Sequence, residues 1–225
     1  MSKIVFFSPY LPKHAGGGER YLFDCARILS EEGWQVFVAI SRQEPLSKKE
    51  ILAIKNKYES FLNYSLEKIN FIITPLATDA NFFKKLFWTA KFDVCYYQTD
   101  GSLFFSLARK NVLHIQVPLK LDKSSLLERL KLANWRVKNT NSIFTKKYIE
   151  KFWQTKINYV HQPYVNAEEF LSQADELLGK PVAKEKIILS VGRFFSQLHN
   201  KRQDVLITFF KDLVALDPAA LKGWK

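Results

Sequence analysis

Short runs of β-branched and aromatic residues alternate with segments of helical period along most of this chain, and that alternation limits its fold more than any other feature. Lys3-Ile4-Val5-Phe6-Phe7-Ser8 is the first such run, bounded by Pro9 and Pro12, and Gln35-Val36-Phe37-Val38-Ala39-Ile40 is the second, entered through Gly33. Between them Leu22, Cys25, Ala26 and Leu29 recur at i, i+3, i+4 and i+7, which predicts a helix over 19–32 with one apolar face and Gly33 as its stop. The three segments make a βαβ unit. Further strands are expected at 70–74, 93–98, 112–117, 142–145 and 157–160, with helices between most of them, so the expected fold is α/β: a Rossmann-like, doubly wound parallel sheet covered on both faces.

The pattern changes after His161-Gln162-Pro163-Tyr164-Val165. A polar stretch leads to Gly179-Lys180-Pro181, then a strand is expected at 186–191 and a helix at 203–216, where Leu206, Phe209, Phe210 and Leu213 form another apolar stripe. The expected division is therefore a first domain over 1–179 and the opening of a second over 180–225. One strand and one helix cannot complete a Rossmann-type domain, so the second is expected to be truncated.

Composition narrows the partners. The 34 basic residues against 22 acidic give a formal charge of +12 and favour nucleic acid, phosphorylated small molecules or an anionic membrane surface. No nucleic-acid-binding motif is recognisable, so nucleic acid is not an expected partner. No apolar segment is long enough to cross a bilayer, and Met1-Ser2-Lys3 leads straight into a strand without a cleavage signal, so a cytoplasmic protein is expected. Cys25 and Cys95 lie in a helical and a strand pattern and have no metal-ligand spacing; both are expected to be reduced core thiols, and no metal or cofactor is expected.

Two motifs carry the chemistry. His14-Ala15-Gly16-Gly17-Gly18-Glu19-Arg20 falls in the turn after the first strand, at the edge where open α/β sheets bind ligands. Its glycines allow close backbone approach, and free N–H groups at the helix start attract anions, although the run is neither a dinucleotide fingerprint nor a phosphate loop. The second motif is Ser190-Val191-Gly192-Arg193-Phe194, followed by His199-Asn200-Lys201-Arg202-Gln203-Asp204, in which Arg193 and Lys201 flank a loop suited to a diphosphate.

With these motifs the chain resembles the retaining glycosyltransferases of the GT-B fold, family 4, also called group 1 glycosyltransferases. Residues 4–20, with Gly33-Trp34-Gln35-Val36, look like their first strand, glycine loop and helix. Residues 188–194, with His199 and 201–204, are similar to the start of their donor-binding domain, and Ser142-Ile143-Phe144-Thr145-Lys146 and Val160-His161-Gln162-Pro163-Tyr164-Val165 fit the stretch ahead of the interdomain crossing. The resemblance implies transfer of a sugar from a nucleotide-diphosphate sugar to a sugar or lipid-linked acceptor with retention of configuration. Gly16, Gly17 and Gly18 are then substrate-binding, Arg193 and Lys201 hold the donor diphosphate, and His114 is the catalytic-site histidine that reaches toward the transferred sugar. Asp100, after Gln98-Thr99, is a further cleft residue with helix capping as its alternative role.

The family's pair of glutamates, separated by seven residues in the donor domain, has no counterpart after Lys201. The chain is therefore expected to be an incomplete and inactive portion of such an enzyme. The alternative is a non-catalytic acceptor-binding or assembly subunit that pairs with a separate donor-domain partner, or a homodimer formed through the C-terminal stub. Residues 119–156 hold ten Lys or Arg against Asp122, Glu128 and Glu150, or +7 of the +12. There the stripe of Leu126, Leu127, Leu130 and Ala133 either lies on the sheet under a solvated basic face, which is the working expectation, or contacts an anionic bilayer.

Overall fold

The computed structural model describes residues 1–42, 44–165, 167, 171, 185–192 and 202–224. The chain divides into two compact units, Met1–Tyr164 and Val165–Lys225.

The first unit is a seven-stranded, wholly parallel sheet in the order β3-β2-β1-β4-β5-β6-β7. Its strands are β1 (Lys3–Phe7), β2 (Gln35–Ser41), β3 (Ile69–Thr74), β4 (Val94–Gln98), β5 (Lys110–Ile115), β6 (Val137–Thr140) and β7 (Tyr159–Val160). The helices are α1 (Gly17–Glu31), α2 (Lys48–Leu62), α3 (Phe82–Thr89), α4 (Leu126–Asn134) and α5 (Ile143–Trp153). This is a doubly wound, Rossmann-like topology. Short polar side chains start the helices: Ser47, Asn81, Ser125 and Ser142 each accept the backbone N–H three residues on, and Glu50 returns the bond to Ser47 in a capping box.

Side-chain alternation along the strands divides the core in two. On one face Ile4, Phe6, Val36 and Val38 pack beneath Leu22, Phe23 and Ala26 of α1 and Tyr58 and Leu62 of α2. On the other, Val5, Phe7, Cys95, Tyr97 and Leu113 pack beneath Trp88 of α3, Leu132 of α4 and Trp153 of α5, with Trp135 filling the space behind α4. Between β4 and β5 the crossover has no helix; Leu103 and Ala108 lay it on this second face. Both thiols are free, and burial pushes Cys25 up to about 11 and Cys95 up to about 12.

Three expectations need correction. Residues 142–145 are not a strand but the start of α5, because the Ser142 hydroxyl takes the Thr145 N–H and turns the chain into a helix. The strand lies just before it, at β6, whose Lys138 and Asn139 hide the apolar signal. The stripe of α4 does not lie on the sheet: Leu126, Leu127, Leu130 and Ala133 are exposed, and Leu132 is the buried residue. Polar anchors set that rotation, with Lys123 and Lys131 on Glu128, the Arg129 guanidinium on the Trp153 and Gln154 carbonyls, and Asn134 bonded to Ser106.

In the second unit, 185–192 carry no strand, contrary to expectation, while the expected helix is present as α6 (Gln203–Leu216). Val205, Ile207, Phe209 and Leu216 of α6 are exposed. The expected boundary at Gly179 lies outside the described residues.

Candidate functional site

β1 and β4 are neighbours, yet the connection after β1 crosses one face of the sheet and the connection after β4 crosses the other. The crevice at their carboxyl ends is the topological switch point, where ligands of doubly wound sheets bind. Around it stand the glycine loop, Gln98 at the end of β4, Thr99-Asp100, and His114 and Gln116 at the end of β5.

The loop is held by turns of its own backbone, with Leu11 N–H on the Ser8 carbonyl and His14 N–H on that of Tyr10. From α2, the Tyr58 hydroxyl donates to the His14 carbonyl at 2.7 Å and the Lys57 ammonium to that of Pro12 at 2.6 Å. Gly16 caps α1 with extended backbone and no side-chain bond, so the first N–H groups of the helix receive no side-chain cap. Gly17 has open space around it. Gly18 does not: a Cβ there would stand 2.8 Å from Gln116 Oε1 and 2.9 Å from Gln98 Nε2. The third glycine therefore lets α1 sit directly on the side chains at the strand ends, and only a residue without a Cβ fits unless they shift. Gln98 is itself buried, and its Oε1 has no hydrogen-bond partner among the described residues.

His114 is fully buried beneath α1. Its ring stacks on Tyr21 at 4.3 Å between centroids and 11° between planes, and Nδ1 lies 3.0 Å from Asn139 Oδ1. Burial pushes its pKa down to about 4, so the ring is neutral. With Nδ1–H donating to Asn139, Nε2 is a bare acceptor, and it too has no partner among the described residues. The Tyr21 hydroxyl joins that of Tyr96 at 3.3 Å and bonds His161 Nδ1, which links this buried cluster to an exposed histidine after β7. Burial raises the pKa of both phenols, so they act as neutral hydroxyls.

Asp100 caps a turn and not a helix: its Oδ1 accepts the Ser102 N–H at 3.0 Å, the Ser102 hydroxyl at 2.6 Å and the Tyr97 hydroxyl at 3.2 Å. Burial, then the Asp100 and Glu19 carboxylates, raise the Tyr10 phenol, which places the three groups in one electrostatic neighbourhood. Glu19 is buried in the first turn of α1. Two carboxylates beside the glycine loop oppose a phosphate there and suit hydroxyl donors instead.

The structure thus brings Gly16, Gly17, Gly18, Asp100 and His114 to one end of the sheet, while Arg193 and Lys201 lie outside the described residues. Sequence reasoning missed Tyr10, Glu19, Tyr21, Gln98, Gln116, Asn139 and His161. Gln98 and Gln116 carried a signal, a polar residue closing an otherwise apolar strand run; the others read as ordinary helix, loop or edge positions.

A separate cavity of about 790 Å³ opens along the free edge of β3, lined by Arg42, Leu46, Ile73, Lys84, Phe87 and Trp88 among others. It contains none of the switch-point residues, and Arg42 is already paired with Glu44 and Glu50. Among the described residues no group of His, Cys, Asp and Glu could hold a metal ion, and no helix is long and apolar enough to cross a membrane.

In comparison with known proteins, no family model matches the chain and no curated protein matches it. What stands is a doubly wound sheet with a glycine loop at its switch point, a scaffold common to nucleotide- and sugar-binding enzymes.

Proposed function

We propose that this chain is the acceptor-side part of a retaining glycosyltransferase of the GT-B fold, family 4, drawing on a nucleotide-diphosphate sugar and a sugar or lipid-linked acceptor. The observation that carries the reading is the packing of Gly18 on Gln98 and Gln116, which sets a glycine loop over the switch point beside buried, unpartnered acceptors. The resemblance of residues 4–20 and 188–204 to that family supports it.

The charges divide the labour. Near the loop, Tyr10, Glu19 and Asp100 offer a phenol and two carboxylates, a set that recognises sugar hydroxyls. His114 is the residue the resemblance assigns to the transferred sugar; it is neutral, and because its Nε2 is buried beneath α1, a sugar hydroxyl reaches that acceptor only if α1 shifts. Diphosphate recognition then falls to Arg193 and Lys201, which stabilise the charge growing on the leaving group as the glycosidic bond breaks.

The test is donor turnover by the intact enzyme with Arg193→Ala and Lys201→Ala. Each is expected to lower kcat/KM for the nucleotide sugar by about 10²-fold or more. Undiminished turnover in both variants rejects the assignment. A second reading, the acceptor-binding or assembly subunit, is favoured by α6, whose Ile207, Phe209 and Leu216 offer an apolar surface to a donor-domain partner or a second copy.

A further inference from the structure

The two helical layers of the first unit differ sharply on their outer surfaces. Over α1 and α2 the exposed large hydrophobic residues are Ile28 and Leu52. Opposite, Phe82, Phe83 and Phe87 of α3 and Leu126, Leu127 and Leu130 of α4 are each more than half exposed, with Leu107 of the crossover between them.

These residues belong to one surface. Phe82 meets Phe105 of the crossover at 6.1 Å between ring centroids, and the Leu107 N–H donates to Thr89 Oγ1 at the end of α3. On the other side of the crossover, Asn134 at the end of α4 accepts the Ser106 N–H and donates to the Ser106 carbonyl. α3, crossover and α4 therefore lie side by side, and apart from the Phe82 ring the links between them are hydrogen bonds of Thr89, Asn134 and the backbone.

The charge on this surface is mainly basic, with one of its cations, Arg109, paired to Asp93. Residues 82–91 contain Lys84, Lys85 and Lys91 and no carboxylate, and 102–110 contain Arg109 and Lys110 and none. The carboxylate of α4, Glu128, is held between Lys123 and Lys131. By contrast, residues 17–32 of the α1 layer carry four acidic and two basic residues.

We infer that the outer surface of α3, the β4–β5 crossover and α4 docks on an anionic lipid bilayer. Aromatic and leucine side chains on two short helices, interleaved with lysines, are the chemistry of interfacial binding: the rings and leucines enter the headgroup region while the ammonium groups meet lipid phosphates. Charge complementarity selects this occupant over a second copy, because the same basic face brought against itself repels. The inference does not depend on the donor chemistry proposed above.

The test is co-sedimentation of the 225-residue chain with phosphatidylcholine vesicles made with and without phosphatidylglycerol. The chain is expected to sediment with the anionic vesicles and to be released as salt rises. Phe83→Ser, Phe87→Ser and Leu127→Ser combined should lower the partition coefficient about tenfold or more, and Lys84→Glu with Lys85→Glu should lower it as well. Ile28→Ser with Leu52→Ser, on the opposite layer, should leave it unchanged. Failure of the unaltered chain to sediment with anionic vesicles overturns the inference without recourse to any variant. Undiminished sedimentation of both the triple and the lysine variants overturns it too, as does a dimer, seen by light scattering, that the triple variant dissociates.

Discussion

The α1/α2 layer and the α3-to-α5 layer bury comparable cores against the same sheet but meet solvent in opposite ways. α1 and α2 show mixed charge outward and enclose the ordered polar groups Tyr21, His114 and Asn139 beneath them. The other layer has a mainly apolar core, with buried Thr89, Ser106 and Asn111 tying down its crossover and α4, and keeps an apolar, mainly basic face outside as well. The difference teaches that an apolar stripe on a helix does not by itself say which side faces the sheet. On α4, a ring of polar anchors overrules it.

The comparison breaks most severely at Trp135. This side chain is fully buried among Tyr97 and Phe104 and donates its indole N–H to the Phe104 carbonyl at 2.9 Å. Trp135→Ala should destabilise the chain by about 3–5 kcal/mol in urea unfolding, as removal of a large core aromatic does. A loss under 1 kcal/mol would mean that the second layer is not a true core.

A smaller effect tests the polar interior of the first layer. The His114 pKa is depressed to about 4 in the fold and is near 6.5 when the chain is unfolded, so acid protonates the unfolded state first. Stability is therefore full above the unfolded pKa and falls as pH drops toward the folded one, by about 2 kcal/mol between pH 7.5 and 5. His114→Phe, which keeps an aromatic ring beside Tyr21, should flatten that slope; an unchanged slope would place the titration elsewhere.

Least of all is expected from Leu127→Ser. Because the leucine projects to solvent, unfolding free energy should move by no more than about 0.5 kcal/mol, in contrast to Trp135→Ala. A loss of several kcal/mol would return the α4 stripe to the core and remove the surface on which membrane docking rests.

Much of this was legible in the chain. Strong periodicity located β1, α1, β2, β3, β4, β5 and α6 within a residue or two, because buried parallel strands are apolar throughout and helices repeat at i, i+3 and i+4. β6 was not legible: Val137-Lys138-Asn139-Thr140 has little apolar content, and Asn139 is there to hold His114, a reason that exists only once β5 lies alongside. In the site, three consecutive glycines announced the loop. What the glycines do was hidden, since Gly18 approaches side chains from two other strand ends while Gly17 has open space around it.

By itself the sequence determined the alternation of strands and helices, the parallel doubly wound class and the position of the glycine loop, because these follow from local periods and turn chemistry. Tertiary structure alone decided which groups share the switch point, that His114 is buried and neutral, and which face of α4 looks outward. Those outcomes depend on contacts between residues distant in the chain, such as Tyr21 with His114 and Arg129 with Trp153, and no local pattern encodes them.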